Sequence, residues 1–314
     1  MNGILNINKP QGLTSFEVVA RVKRITGERH TGHAGTLDPL ATGVLPICLG
    51  KATRVIEYLF NQTKTYLSEI EFGIATDTYD STGKILRTVD VSGISLERVE
   101  KALEGFRGVI SQIPPMYSAL KHKGRPLYKL ARQGIEVERP SRPAQIFSLE
   151  ITNWQPPVAT LEIVCGKGTY IRSLANDLGE ALGYGAVMKS LIRSRVGPFD
   201  LQEALTLAQL EEAARLGLVD KYLFPPDFVL DSFAALVVNA EQQCALIHGN
   251  PVTVVFNDKF DSSTIAPGTR CRVYTADGSF LGVVRYESEN HCWRPEKIFF
   301  EGCCGVDRGL INHD

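Results

Sequence analysis

The sequence contains no apolar run long enough to cross a lipid bilayer, so it predicts no transmembrane helix. Its start, MNGILNINKPQG, has no basic segment followed by an apolar one, which argues against a secretory signal. The glycine fingerprints of dinucleotide and nucleoside triphosphate sites are also missing, so we do not expect a phosphate-cradling loop. Together these absences predict a cytoplasmic protein without membrane contact.

Cysteine pairs are missing as well. The seven cysteines are odd in number, and no two of them stand in a C-x-x-C arrangement. Cys303 and Cys304 are adjacent, but no second pair lies nearby, so we do not interpret them as zinc ligands. Because 44% of the 314 residues are hydrophobic, the chain can bury a core without disulfides or metal. We expect reduced thiols in a reducing cytosol and no metal site.

The chain has almost no net charge, −1 at pH 7, but its basic residues are unevenly distributed. Residues 1–54 carry a net charge of +4, residues 114–143 one of +5 and residues 167–195 one of +3. A polyanionic ligand needs one positive face rather than a positive protein. Ordinary solvated surface would explain the same excesses, so the charge pattern alone leaves both interpretations open.

Hydrophobic periodicity predicts alternating strands and helices. A capping-box pattern starts the first helix at Thr14 and Glu17, and Gly27 is a suitable residue to end it. Residues 29–50 are rich in glycine and threonine and contain Asp-Pro, so they predict a loop with a tight turn. In residues 64–74 apolar side chains recur with a period of two, as in a strand with one buried face.

The length of the chain suggests about two domains, and the sequence LFPPD at residues 223–227 has the character of a boundary. Residues 230–300 contain several short strand patterns and one hairpin signal, Asp277-Gly278, which favour a small β-barrel. The predicted domains are therefore residues 1–228 and residues 229–314.

The loop at residues 33–46, HAGTLDPLATGVLP, is the most informative stretch of the chain. It places two titratable groups, His33 and Asp38, among glycines that let the backbone approach a ligand closely. The residues alone leave an alternative for each, because an Asp before Pro commonly forms a turn and a histidine can be exposed or part of a core.

This loop and the preceding NKPQG at residues 8–12 resemble the signature of the tRNA pseudouridine-55 synthases, the TruB family. Further motifs follow in the order and spacing of that family, from residue 3 to about residue 230. They are KTY at residues 64–66, IPPMYSALK at residues 113–121, GTYIR at residues 168–172, and LIR at residues 191–193 followed by Gly197.

The resemblance implies an α+β fold, with a mixed, mostly antiparallel central sheet flanked by helices. Residues 1–228 would form the catalytic domain, and residues 229–314 a small, barrel-like (PUA-like) domain that binds RNA. The implied reaction converts the T-loop uridine of tRNA, uridine-55, to pseudouridine after the base is flipped out of the RNA. The resemblance implies no cofactor. The implied enzyme is a monomer that binds the T arm of tRNA and needs no obligate protein partner.

The resemblance assigns the chemistry to Asp38. This carboxylate would attack C6 of the base or C1′ of the sugar, or promote loss of the C2′ proton. Arg172 would keep the carboxylate ionised and oriented, as a nucleophile requires. The alternative for Arg172 is a surface ion pair, which is common and contributes little.

Four further residues would shape the pocket. The resemblance implies that Tyr66 stacks on the flipped uracil and that His33 fills the gap left in the RNA loop. Tyr170 and Leu191 would line the pocket. Core packing is the alternative for Tyr66, whose strand phase matches its apolar neighbours, and for Leu191.

Residues 114–143, with four prolines and a predicted short helix near residues 126–133, resemble the family's RNA-clamping insertion. A loop this long inside a domain is usually functional or disordered, and a solvated flexible loop is the alternative. Contacts to the RNA backbone are predicted for six basic residues, Lys9, Lys121, Lys123, Arg125, Lys129 and Arg132.

Two other classes of function compete with this interpretation. A non-catalytic RNA chaperone would bind and refold tRNA, but it has no need of a carboxylate that faces an anionic ligand. A small-molecule isomerase or glycosidase would also use Asp38, but a glycosidase needs two nearby carboxylates. No second acid stands out in the matched motifs.

Replacing Lys121, Lys123 and Lys129 with Ala should weaken tRNA binding and flatten its dependence on salt. Each lost phosphate contact should reduce the log–log slope by about 0.7–0.9, because fewer counterions are released on binding. Filter binding across a salt series measures the slope. An unchanged slope would show that this segment does not contact the RNA.

Overall fold

The computed structural model describes residues 1–254 and 265–299, so Cys303 and Cys304 lie outside the described residues. The chain divides into two compact units, Met1–Phe224 and a second that begins at Pro225. Within the described ranges, no helix is long and apolar enough to cross a membrane. The same residues contain no group of three or more His, Cys, Asp or Glu that could hold a metal ion.

The first unit is built on a nine-stranded sheet. Its strands are β1 (Gly3–Lys9), β2 (Thr31–His33), β3 (Thr42–Leu49), β4 (Lys64–Phe72), β7 (Gly108–Gln112), β10 (Arg142–Gln155), β11 (Val158–Cys165), β12 (Ala186–Val196) and β13 (Phe199–Asp200). The main path runs β1-β3-β12-β4-β11-β10-β7, with β2 paired to β3 and β13 to β12. Only the β3–β12 pair of this sheet is parallel in the described residues. The predicted mixed, mostly antiparallel sheet is confirmed.

Short hairpins and helices complete the unit. The hairpins pair β5 (Ile74–Thr76) with β6 (Ile85–Thr88) and β8 (Lys121–His122) with β9 (Arg125–Pro126). The α-helices are α1 (Ser15–Thr26), α2 (Ile56–Asn61), α3 (Leu96–Leu103), α4 (Leu127–Ala131), α5 (Ile171–Leu182) and α6 (Leu207–Arg215). Short 3₁₀ helices cover Gly50–Val55, Glu104–Phe106, Leu201–Glu203 and Val219–Tyr222.

Helix α1 begins as its sequence predicts. The Thr14 side chain accepts a hydrogen bond from the backbone of Glu17, whose carboxylate accepts one from the backbone of Thr14. Gly27 ends the helix in the left-handed conformation, with φ of 70°. This helix and α6 pack their apolar faces on β1 and β3, and α3 and α5 contribute to a second core with β4, β11 and β12.

The prediction of a loop over residues 29–50 is wrong in two places, because Thr31–His33 is strand β2 and Thr42–Leu49 is strand β3. Residues 43–49 of β3 are all buried, between β1 and β12. Such a strand has no alternating pattern and shows only a short apolar run, which here was hidden among glycine, threonine and proline. Strand β4 does alternate, with Tyr66, Ile70 and Phe72 on its buried side as predicted.

The second unit is a small sheet domain. Among its described residues, a 3₁₀ helix (Pro226–Val229) precedes β14 (Ala234–Val238), α7 (Ala240–Ile247), β15 (Arg270–Thr275), β16 (Phe280–Glu287) and β17 (Cys292–Ile298). The four strands form one sheet in chain order. The hairpin predicted at Asp277-Gly278 joins β15 and β16, with φ of 83° at Gly278.

Gly43→Ala should cost about 3 kcal/mol or more of unfolding free energy. Gly43 has φ of 104°, and an added Cβ would overlap the backbone of Arg193 on the parallel partner strand. Gly12→Ala is the matched control, because Gly12 has φ of 85° but an added Cβ would meet no atom within 4 Å. It should cost only about 1–2 kcal/mol. Equal losses in chemical denaturation would contradict the predicted steric effect.

Candidate active site

A cavity of about 580 Å³ opens in the first unit where the loop before β3 meets β4, β12 and the start of α5. This volume is in the range of small-molecule binding sites. Five side chains that were predicted separately from the sequence line this one cavity, namely Asp38, Tyr66, Tyr170, Arg172 and Leu191. The tertiary structure therefore brings together residues that are up to 153 positions apart in the sequence.

Asp38 and Arg172 form a two-point ion pair in the cavity. Nη2 of Arg172 donates to Oδ1 of Asp38 at 3.1 Å, and Nε lies 3.0 Å from Oδ2. This bidentate geometry is typical of an ionised carboxylate. The Arg172 side chain is only 6% exposed, whereas that of Asp38 is 35% exposed. A surface ion pair, the alternative interpretation of Arg172, is therefore wrong.

The environment of Asp38 acts on its carboxyl in two directions. Burial raises the pKa of Asp38 above its usual 3.8, and the guanidinium of Arg172 opposes that rise. The carboxylate is thus desolvated and held by one partner, while about a third of it remains open to the cavity. Those are the conditions under which a carboxylate can react with a bound molecule.

The loop that carries Asp38 is fixed by buried hydrogen bonds. Ser15, the first residue of α1, donates from Oγ to the carbonyl of Leu37 at 3.1 Å and accepts from the Leu37 amide at 2.8 Å. The Asp38 carbonyl accepts from the amide of Ala41 at 3.0 Å, which closes the turn. The start of α1 therefore positions the carboxylate.

Lys9 belongs to the same framework, and the prediction that it contacts the RNA backbone is wrong. The side chain is fully buried, and Nζ donates to the carbonyls of Ala41 at 2.6 Å and Pro10 at 2.9 Å. Burial lowers the pKa of Lys9 to about 8. An ammonium group that is enclosed and bonded to carbonyls cannot reach a phosphate.

Arg172 has a second carboxylate neighbour, Asp80, which the sequence did not reveal as part of the site. Its Oδ2 lies 3.6 Å from Nη1 of Arg172, and the side chain is 7% exposed. The hydroxyl groups of Thr78 and Thr82 donate to Oδ1 at 2.8 and 2.6 Å. Arg172 also donates to the carbonyls of Thr78 and Tyr117, at 3.3 and 2.7 Å. Asp80 lies in a polar turn, TDTYDST, that carries no sequence signal of burial.

Tyr66 and Leu191 belong to the core and to the cavity together, whereas Tyr170 lines the cavity from outside the core cluster. Tyr66 is 9% exposed and Leu191 6% exposed, and both belong to the hydrophobic core as well as to the cavity wall. Burial raises the pKa of Tyr66 and of Tyr170, so both present neutral phenols. The two interpretations of Tyr66, core residue and pocket residue, therefore hold simultaneously.

Two further cations line the cavity, although the motifs that contain them predicted no role for either residue. Arg193 is buried and donates to the carbonyls of Val44 at 2.8 Å and Gly35 at 3.0 Å. Lys64 is also buried, and burial lowers its pKa to about 8. Their positions inside a sheet could not be told from surface positions by sequence pattern, because basic residues are mostly exposed.

Family profiles match this chain over two consecutive segments. The profile of the TruB family pseudouridylate synthase N-terminal domain matches residues 23–171, and that of the tRNA pseudouridylate synthase B C-terminal domain matches residues 172–230. A curated protein of Dehalococcoides mccartyi, named tRNA pseudouridine synthase B, is 47% identical over 95% of this chain and 97% of its own length. This chain belongs to the TruB family of pseudouridylate synthases.

Other comparisons agree with this membership. A Clostridium perfringens protein with the same name is 42% identical over 96% of this chain and the whole of its own length. Among solved structures, a chain in a Cbf5-Nop10-Gar1 complex matches with a TM-score of 0.73 and 25% identity, covering 95% of this chain and 85% of its own. The family resemblance and the fold class predicted from the motifs are confirmed. The chain is an isomerase.

The remaining TruB-motif residues lie near the cavity or on the insertion. The Nδ1 atom of His33 is buried without a hydrogen-bond partner among the described residues, and burial, helped by Arg193, lowers the pKa of its ring. His33 does not line the cavity, and its role beside the RNA stays a prediction. The five basic residues predicted on the insertion are all exposed, namely Lys121, Lys123, Arg125, Lys129 and Arg132.

Asp80→Asn should slow pseudouridine formation about tenfold or more, with an unmodified tRNA as the test substrate. The substitution keeps the shape of the side chain but removes the negative charge that lies beside Arg172. A charged contact contributes about 1.5–3 kcal/mol, and about 1.4 kcal/mol corresponds to a tenfold change in rate. Asp77→Asn, on the same turn with an exposed side chain, is the control. An unchanged single-turnover rate in Asp80→Asn would show that Arg172 does not need Asp80.

Proposed function

We propose that this enzyme converts the T-loop uridine of tRNA, uridine-55 of the family's substrate, to pseudouridine, with Asp38 as the nucleophile. The observation that carries the proposal is the partly exposed Asp38 carboxylate, held at two points by a buried guanidinium inside a nucleoside-sized cavity. The relatives named tRNA pseudouridine synthase B support tRNA as the substrate.

The base must leave its stack to reach the cavity, which costs a few kcal/mol. Stacking on Tyr66 would return about 1–3 kcal/mol, and the apolar side chain of Leu191 would cover the opposite part of the pocket. The proposed stacking uses the exposed part of a ring that is otherwise packed in the core. The rigid wall thus receives the base without rearranging the sheet.

The reaction exchanges one glycosidic bond for another. The N1–C1′ bond breaks, the base rotates, the C5–C1′ bond forms, and C5 loses a proton while N1 gains one. The Asp38 carboxylate would start this sequence by attack on C6, by attack on C1′, or by removing the C2′ proton. Each first step uses the same anion, and Arg172 would orient it in each.

The rest of the chain has a proposed part in binding. The insertion reaches the cavity itself, since Ser118, Ala119 and Leu120 line it, and its exposed cations would hold the phosphates of the T arm. Residues 1–228 would act as the catalytic domain and residues 229–314 as an RNA-binding domain. The enzyme would act as a monomer on cytoplasmic tRNA.

Asp38→Asn should abolish pseudouridine formation and leave tRNA affinity nearly unchanged, because the carboxylate reacts with the substrate and contributes little to binding a polyanion. The assay is a single-turnover reaction on an unmodified T-arm stem-loop, with mapping of the pseudouridine and filter binding in parallel. More than a small residual rate would refute the nucleophile assignment. Binding by the wild-type enzyme without any pseudouridine would instead indicate an RNA chaperone.

A further inference from the structure

The rim of the cavity carries an aromatic side chain that the chemistry does not use. Phe60, near the end of α2, lines the cavity and is 44% exposed. Single exposed apolar residues are normal on protein surfaces, so exposure alone means little. Here the exposed ring stands at the mouth of a cavity for a nucleotide, where an unpaired base adjacent to the target would pass.

The backbone under Phe60 is held in place. The buried Nζ of Lys64 donates to the carbonyl of Phe60 at 2.7 Å and to that of Gln62 at 2.6 Å. These two bonds fix the end of α2 against the start of β4. The ring is therefore presented from a rigid support, which lowers the entropy lost when it binds a partner.

A cation that lines the same cavity is bonded to Asn61, the residue that follows Phe60. Lys167, exposed on the turn between β11 and α5, donates from Nζ to Oδ1 of Asn61 at 2.8 Å. Asn61 is neutral, so this hydrogen bond orients the ammonium group without neutralising its charge. The hydroxyl of Thr169 donates to the carbonyl of Gly166 at 3.1 Å, which stabilises the turn.

A second exposed aromatic side chain lies close to the same turn. Phe147 on β10 is 58% exposed, and a Cβ built on Gly166 would be 3.9 Å from its ring. Gly166 and Lys167 both line the cavity. The turn therefore lies close to Phe147 through Gly166 and is bonded, through Lys167, to the residue that follows Phe60.

Exposed aromatic rings beside a cation are the combination that binds unpaired nucleotides, through stacking on the bases and attraction of the phosphates. We propose that Phe60, Lys167 and Phe147 form a second RNA contact, which holds the unpaired nucleotides adjacent to the target uridine. Phe60 and Phe147 stack on bases, and Lys167 binds a phosphate. The inference rests on the proposed function, since it takes the occupant to be the RNA strand that enters the cavity.

Phe60→Ala and Phe147→Ala should each weaken binding of an unmodified T-arm stem-loop roughly 5- to 140-fold, the range that corresponds to about 1–3 kcal/mol per stacked base. The single-turnover rate at saturating RNA should stay within about twofold of wild type. Trp at either position should restore affinity, whereas Leu should not, because Leu keeps apolar area but has no π face. Lys167→Gln should reduce the log–log salt slope by about 0.7.

Phe16→Ala is the matched control, because Phe16 is 77% exposed but does not line the cavity. It should bind RNA as wild type does. Equal affinity of the Phe60 and Phe147 variants and wild type would overturn the proposal. Rescue by Leu together with a lowered melting temperature would also overturn the proposal, because that result indicates a packing role. A change of oligomeric state would overturn it as well, because it indicates a protein partner. If the wild-type protein binds the stem-loop without modifying it, the proposed function is wrong. The comparison of affinities still shows whether Phe60 and Phe147 contact the RNA.

Discussion

The rest of the site depends on the contacts made by the guanidinium group of Arg172. It contacts Asp38, the carbonyls of Thr78 and Tyr117, and Asp80, so it joins segments that are 134, 94 and 55 positions away in sequence. A buried cation without partners would cost several kcal/mol, so the burial of Arg172 is coupled to the positions of these segments. The contacts that satisfy the buried cation also orient the carboxylate of Asp38.

The buried cations around Asp38 extend this framework. Lys9 and Lys64 each donate to backbone carbonyls in a loop or at a helix end. Arg193 does the same for the carbonyls on either side of the Asp38 loop. Desolvation makes these groups costly, as the lowered pKa values of the two lysines record. In return, a loop with little regular structure acquires one defined conformation beside the cavity.

The sheet places this framework beside an opening rather than inside a closed core. Tyr66 on β4 stands opposite Arg193 on β12, so the aromatic wall and the loop anchor come from neighbouring strands. The insertion closes another side through Ser118 and its neighbours, while its cations remain exposed. Three parts of the first unit thus supply three different features, namely a rigid wall, a fixed anion and a basic outer surface. These features differ in how far they are buried.

Local sequence determined the elements whose cause is local. The capping box of α1 and the alternation of β4 were predictable because a helix end and a half-buried strand are specified by residues a few positions apart. The family motifs also carried the identity of five cavity residues. Burial, in contrast, is a long-range property. Whether Lys9 faces a phosphate or the carbonyl of Ala41, and whether Asp80 is a turn residue or a partner of Arg172, depends on segments that meet only after folding. Only the tertiary structure decided those assignments, including the correction at Lys9.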